Sequence, residues 1–472
     1  MPQITKAQPR RAFLAPRFNR WVLRLVGIVL PYWLKYKLSI TQFDVVDIDQ
    51  LVEVYKQSQM GRLRLILAFR HPSSDDSFCL GHLLTKKLPT AARKHRISLK
   101  FPVFAHFLYD RGVSLWAGKS ANWLYPKLGA IPIHRGRSSQ MGLDTARDLL
   151  VNGQMPLAMA PEGRMNGHSE FVSQLGSSAA QIGFSAMANL IAAGRSEDVL
   201  IVPIGIQYHY LDEPWSKVEA INHQLELDCG SIVDRRDSIV AIDQRQSDGR
   251  PMRKLLYDRI YNLSQHLLYQ AENFYAQFYH YKVPERPPLD RSISRTEIDR
   301  RLQSVLAFAL KISETYFNLE PNGNNFDRCR QIEQAGSDWI YREELVPPGS
   351  LDRVSRKLAD RIATEADVRM WHMRLLESLR SITDSYLKDR PTVDRFAEVT
   401  LLLWDLIARI KAEKSANRPI LGKRRVQITI CNPIPLSDYW DRYKIDRQEA
   451  RKVVLDLTQE LQTVMEGTID RE

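Results

Sequence analysis

The chain has 472 residues, 44% of them hydrophobic and 26% charged, which is enough to bury a full core and more than one ordinary compact domain requires. Its formal net charge of +12, from 67 Lys and Arg against 55 Asp and Glu, draws the surface toward polyanions such as nucleic acid, anionic lipid headgroups or an acidic carrier. Cys79, Cys229, Cys329 and Cys431 stand far apart with no C-x-x-C pair. That spacing argues against a zinc site and a disulfide framework, and for a reducing compartment.

Residues 1–40 read as a basic, amphipathic, membrane-proximal segment. Between Arg24 and Lys35 the uncharged run LVGIVLPYWL is far short of the roughly 20 residues that cross a bilayer, and Pro31 interrupts it. No A-x-A cleavage pattern follows, so secretion is not expected. Asp44 is the first acidic residue, whereas Lys6, Arg10, Arg11, Arg17, Arg20, Arg24, Lys35 and Lys37 precede it. Cations interleaved with Trp21, Tyr32 and Trp33 suit a segment lying in the headgroup layer on the cytoplasmic side of a membrane. The other reading is a helix packed on the protein's own body with its basic face in solvent.

From 41 to 245 strands and helices alternate. FDVVDID (43–49) reads as a strand, with a helix from Leu51 to Gln57. RLRLILAFR (62–70) reads as a buried strand ended by the turn cluster Pro72, Ser73 and Ser74. A helix begins at Asp75 or Asp76, where the positive helix end favours anions. LKFPVFAH (99–106) is a strand, 116–129 a helix, AIPIHR (130–135) a strand, and 141–153 a helix closed by Gly153. MPLAMAPEG (155–163) is a strand entering a loop, 169–194 a helix, and DVLIVPIGIQYHY (198–210) a strand. This alternation predicts an α/β domain with a largely parallel mixed sheet flanked by helices, and ligands belong at the carboxyl ends of its strands. From 250 to 420 a mainly α-helical region is added, with helices near 252–279, 295–318, 326–340, 350–386 and 392–415 and an aromatic stripe (Tyr257, Tyr261, Phe274, Phe278) read as core. Residues 421–472 hold a strand and a closing helix from Gln448 to Met465, and this strand could rejoin the first sheet.

The chemistry centres on LAFRHPSSDD (67–76). An imidazole is well matched at neutral pH to remove a proton from a hydroxyl. A carboxylate on its other ring nitrogen fixes the tautomer and stabilises the imidazolium. Across a strand, turn and helix junction, an aspartate five residues after His71 can fold back to it, which favours Asp76; Asp75 competes. The alternative is a surface histidine beside a helix-capping aspartate. Further along, Arg135 falls at a strand end in GAIPIHRGR, Glu162 and Gly163 form a tight turn in APEG, and VPIG closes another strand. A guanidinium fork suits a phosphate, and a glycine lets backbone approach a ligand.

In this order the segments resemble the glycerolipid acyltransferase family, which includes 1-acylglycerol-3-phosphate and glycerol-3-phosphate acyltransferases. The resemblance rests on His71 and Asp76 (H-x4-D), on Gly129, Ile131 and Arg135 (G-x-I-x-x-x-R), on Pro161, Glu162 and Gly163 (P-E-G), and on Val202, Pro203 and Ile204. It covers roughly residues 40 to 215. It implies that His71 is the general base, that Asp76 holds it, and that Arg135, Glu162, Gly163 and Arg164 make up the acceptor-phosphate site, in which Glu162, being an anion, positions an arginine or a sugar hydroxyl and does not hold the phosphate directly. It also implies an acyl thioester of acyl carrier protein or coenzyme A as co-substrate and a lysophospholipid acceptor at a membrane surface, with no metal or other cofactor. In the family P-E-G usually runs into T-R or G-R, whereas here Arg164 follows Gly163 directly. That shift puts the acceptor in question more than the reaction, and Arg137 is a possible replacement.

His82, His134 and His168 read as structural or loop residues. No H-E-x-x-H, Walker loop or G-x-S-x-G is present. Nucleic acid is not expected as a partner, because no recognised motif accompanies the charge. The expectation is a membrane-associated O-acyltransferase of phospholipid biosynthesis; the alternative is a catalytically weak or inactive scaffold with the same fold.

Overall fold

The structure, a computed structural model, describes residues 4–10, 13–110, 118–133, 140–231, 250–283, 295–346, 349–380, 384–413 and 418–469. The chain divides into two compact units: Phe13–Asp212 with Gly422–Glu472, and Met1–Ala12 with Glu213–Leu421. The first holds an eight-stranded, mostly parallel sheet flanked by helices, and the second is almost wholly helical.

In chain order the strands are β1 (Gln8–Pro9), β2 (Ile40–Val46), β3 (Leu63–Phe69), β4 (His106–Asp110), β5 (Ile131–Ile133), β6 (Leu157–Met159), β7 (Asp198–Tyr210), β8 (Tyr341–Arg342), β9 (Arg424–Ile430) and β10 (Ile434–Pro435). The large sheet runs β2-β9-β7-β3-β6-β4-β5, with β10 added to β7. β7, β3, β6, β4 and β5 are parallel, and β9 joins β7 antiparallel while running parallel to β2. The strand after the helical block therefore returns to the first sheet and becomes one of its inner members.

β3 shows why the sheet needs two covers. Its side chains alternate, so Leu65, Leu67 and Phe69 enter one core and Ile66 and Ala68 the other. The first core is completed by Leu23 and Leu30 of α1 (Arg20–Tyr32), Leu51 and Tyr55 of α2 (Ile48–Gln59), Leu80 of α3 (Asp76–His82) and Ala91 of α4 (Leu88–Lys94). The second is completed by the helices Gln140–Asn152, Ser178–Ala192 and Arg447–Glu466, through residues such as Leu150, Phe184 and Leu457. A strand buried on both faces has to be continuously apolar, as β3 is from Leu65 to Phe69.

Two expected elements differ. The strand expected over 99–106 begins only at His106. The buried Tyr55 hydroxyl donates to the Phe104 carbonyl at 2.6 Å and accepts the Phe104 N–H at 2.9 Å, so a side chain satisfies the backbone groups that a neighbouring strand would otherwise pair. The helix expected from 169 begins at Ser178, because carbonyls and amides between His168 and Ser173 are held by Arg70 and Glu162, as described below. Within the helical unit the helices are Trp215–Asp228, which the sequence reading did not anticipate, then Arg250–Tyr279, Arg295–Phe317, Asn325–Ile340, Arg353–Arg380, Asp384–Asp389 and Val393–Ile410. Arg259 ties the first two together through Glu226 at 2.7 Å and Glu219 at 2.9 Å. Of the aromatic stripe, Phe274 packs near Tyr275, Trp371 and His372, whereas Phe278 faces solvent.

Replacing Tyr55 by Phe should lower the unfolding free energy by about 2 kcal/mol, because two buried backbone groups lose their partner. A urea midpoint equal to that of the parent chain would contradict this account of residues 99–106.

Candidate active site

β3 ends where apolar sequence gives way to Arg70 and His71. The Pro72–Ser74 turn then reverses the chain into α3, whose first residue is Asp76. The reversal brings the Asp76 carboxylate back over the strand end: Oδ2 lies 2.9 Å from His71 Nδ1 and accepts the Ser73 N–H at 2.9 Å. Oδ1 accepts the Tyr208 hydroxyl of β7 at 2.6 Å. Asp76 is fully buried while the His71 side chain keeps 25% of its exposure. When Asp76 is ionised it can only accept, and the matching neutral tautomer of His71 carries its proton on Nδ1 and not on Nε2.

The competing Asp75 is engaged elsewhere. Its Oδ2 receives the Arg424 guanidinium of β9 at 2.7 Å, and that guanidinium also lies 5.2 Å from the Tyr208 ring centroid. Burial pushes the Asp76 carboxyl above its ordinary range, more than the bonds from His71, Tyr208 and Ser73 lower it. Burial and the neighbouring Asp76 charge raise the Tyr208 hydroxyl far above its usual range, so it remains a donor at any working pH.

The loop after β6 is fastened to this strand end. Pro161 and Glu162 occupy a tight turn closed by the Gly163 N–H donating to the Ala160 carbonyl at 3.0 Å, and Gly163 takes a φ of +71°, where a side chain would be strained. Glu162, expected to position other groups of the phosphate site, turns inward. Its Oε1 accepts the His71 N–H at 2.8 Å, and its Oε2 accepts Asn166 Nδ2 at 2.8 Å and the Ser173 N–H at 3.1 Å. Burial raises its pKa, opposed by the Arg70 charge and these bonds. Arg70, also fully buried, donates to the Ser169 and Phe171 carbonyls at 2.6 Å and to that of His168 at 3.2 Å. The Asn166 N–H reaches the His71 carbonyl at 3.3 Å, so Gly163 and the half-buried Arg164 lie on a loop bonded directly to the histidine's own backbone.

The structure thus brings together His71, Asp76, Glu162, Gly163 and the loop bearing Arg164. β5 ends at Ile133; Arg135 and Arg137 lie outside the described residues, as does His134. The sequence reading missed Tyr208, Arg70, Asn166, Ser173 and Arg424. One signal for Tyr208 was available, since it continues the alternation of Val202, Ile204 and Ile206 on a single face and sets a lone hydroxyl on an otherwise apolar stripe. The other histidines differ in setting. His82 is held near pKa 4 by burial and by Lys87 and Lys86, and its ring packs edge-on against Phe43. His372, in the helical unit, is brought to about 4 by burial, between the hydroxyls of Tyr275 at 3.1 Å and Tyr279 at 2.9 Å.

α1 carries a second feature. Leu23, Gly27 and Leu30 are buried, yet the opposite face is also apolar, with Trp21 73%, Ile28 60% and Tyr32 64% exposed, and Leu25 and Tyr36 in the same stripe. Arg20 and Arg24 lie over the ring of Phe101 at 5.2 and 5.1 Å, and Lys127 over Trp123 at 4.3 Å. Among the described residues no helix is long and apolar enough to cross a membrane.

No protein-family model matches this chain, and no curated protein does.

The direction of the Asp76 shift gives a signed prediction. A carboxyl whose folded pKa lies above its ordinary 3.8 stabilises the fold at acid pH, and this contribution is lost as pH rises through the folded pKa. Asp76→Asn lacks that dependence. Its melting temperature relative to the parent should therefore rise from about pH 4 toward pH 8, and a difference independent of pH would count against a desolvated charge at this position.

Proposed function

We propose that this chain is an O-acyltransferase that moves a fatty acyl group from an acyl carrier protein or coenzyme A thioester to a hydroxyl of a lysophospholipid such as 1-acylglycerol-3-phosphate. The observation that carries the reading is the His71 Nδ1 to Asp76 Oδ2 bond of 2.9 Å at the carboxyl end of an inner parallel strand, with the imidazole still partly exposed. The resemblance of four segments to glycerolipid acyltransferases points the same way. Nε2 takes the proton of the acceptor hydroxyl as its oxygen bonds to the thioester carbonyl carbon. The tetrahedral adduct then collapses with cleavage of the carbon–sulfur bond, and the departing thiolate recovers the proton from the imidazolium. The thioester already supplies an activated carbonyl, so the scheme calls on no metal or prosthetic group.

In this scheme Asp76 keeps the Nδ1 proton in place and offsets the imidazolium charge. Arg135, the Gly163 backbone and Arg164 are the proposed contacts to the acceptor phosphate, and Glu162 holds the loop of Gly163 and Arg164 against His71. The acceptor and the product are amphiphiles, which suits the exposed apolar stripe of α1 with its flanking arginines as the surface that rests in the headgroup layer of an anionic membrane.

His71→Ala should abolish transfer from a radiolabelled acyl thioester to lysophosphatidate while leaving the melting temperature within a few degrees of the parent. Ordinary turnover in that variant would remove the general-base role. A parent chain that yields no product across a panel of phosphorylated and unphosphorylated acceptors would instead favour the scaffold reading.

The double substitution Trp21→Glu with Ile28→Glu should reduce cosedimentation with vesicles containing anionic phospholipid at least about tenfold, because two apolar anchors become charged. Equal recovery of parent and variant in the vesicle pellet would overturn the assignment of this face.

A further inference from the structure

We infer that Tyr208 is a positioning residue for the His71–Asp76 pair, and that the carboxyl-terminal strand β9 is what delivers it there. The inference deepens the catalytic reading above and rests on it for its functional meaning, but its geometry stands independently. β7 pairs with β3 only from Leu63↔Asp198 to Phe69↔Ile204. Beyond that point β7 runs on to Tyr210, and its sheet partner there is β9, through Ile206↔Ile428, Tyr208↔Val426 and Tyr210↔Arg424. The segment carrying Tyr208 is therefore held in the sheet by residues more than two hundred positions away, well beyond the stretch with family resemblance. Arg424 of β9 reinforces the arrangement, bonding the Leu38 carbonyl at 2.9 Å and Asp75 Oδ2 at 2.7 Å while lying over the Tyr208 ring.

The Tyr208 hydroxyl donates to the Asp76 oxygen that does not face His71, at 2.6 Å. It therefore draws charge away from Oδ2 and sets how strongly Asp76 pulls on the imidazole. The titratable and charged groups around the pair are Asp75 just before α3, Cys79 within α3, Tyr208 from β7, Arg424 from β9, and Glu162 from the loop after β6 with Arg70 behind it. With the Tyr208 donor removed, a proton on the pair is held more tightly whether it rests on imidazole or carboxyl, so the coupled titration moves upward in either case.

The experiment follows the His71 ring resonances of the full chain by nitrogen-15 NMR across pH, assigned by their loss in His71→Ala, alongside the acidic limb of kcat/KM for acyl transfer. In Tyr208→Phe the His71 midpoint should rise by about half a pH unit or more, and the acidic limb should move with it. Cys79→Ala, which removes an equally buried neighbour without touching Oδ1, should leave the midpoint in place. Site-specific 3-fluorotyrosine at position 208 keeps the ring and strengthens the donor, so it should lower the midpoint, and it serves if the Phe variant does not fold. An unmoved midpoint in folded Tyr208→Phe, or no opposite shift with fluorotyrosine, would overturn the positioning role. Because the NMR titration needs no turnover, a parent chain without transfer activity would overturn the proposed reaction while this test still returned its own answer.

Discussion

The charge on Asp76 is the constraint around which this end of the sheet is organised. A carboxylate without solvent loses several kcal/mol of hydration, and its raised pKa indicates that desolvation outweighs the bonds made to it. Donors that favour the ionised form reach it from separate parts of the chain: the His71 ring at the end of β3, the Ser73 amide in the turn, and the Tyr208 hydroxyl on β7. Loss of any one leaves the others facing a less well-solvated anion. The geometry of strand end, turn, helix start and β7 extension is in this sense a single electrostatic solution, and an oriented imidazole is its product.

A second buried charge system shapes the loop opposite. Arg70 donates to the backbone carbonyls of His168, Ser169 and Phe171, and Glu162 accepts from the His71 and Ser173 amides and the Asn166 side chain. The effect is to replace the regular structure expected there with a loop whose shape follows from where two charges need partners. Val172 anchors that loop in the second core, and directional bonds from Asn166 and Glu162 set its position against His71. This is the condition under which a backbone can present N–H groups at a fixed distance from a reacting centre.

The helical unit solves a different problem with similar means. Arg259 with Glu226, Arg301 with Glu272 and Arg328 with Glu314 pair across its helices at 2.6–2.9 Å with little exposure, and His372 is held neutral between two tyrosines. Removing one partner from such a pair strands a charge, so these contacts specify which helices meet more than they add net stability. In the sheet unit α1 is apolar on both faces, and only one of them is covered within its own unit.

Periodicity by itself determined the α/β class and the run of strands and helices, because alternation at two residues and at 3.6 residues follows from backbone geometry alone. It likewise determined that an imidazole stands at a strand end with carboxylates one turn away, since Pro72, Ser73 and Ser74 must break the strand. The choice between Asp75 and Asp76 was not legible, because it depends on Arg424 claiming Asp75 from the far end of the chain. Nor could local pattern show that Tyr55 would satisfy Phe104, that Arg70 and Glu162 would displace a helix to Ser178, or that β9 would enter the sheet between β2 and β7. Each of these is settled by a hydrogen bond or ion pair between residues distant in sequence. Such partners are chosen by desolvation in the folded core, which a reading of neighbouring residues does not contain.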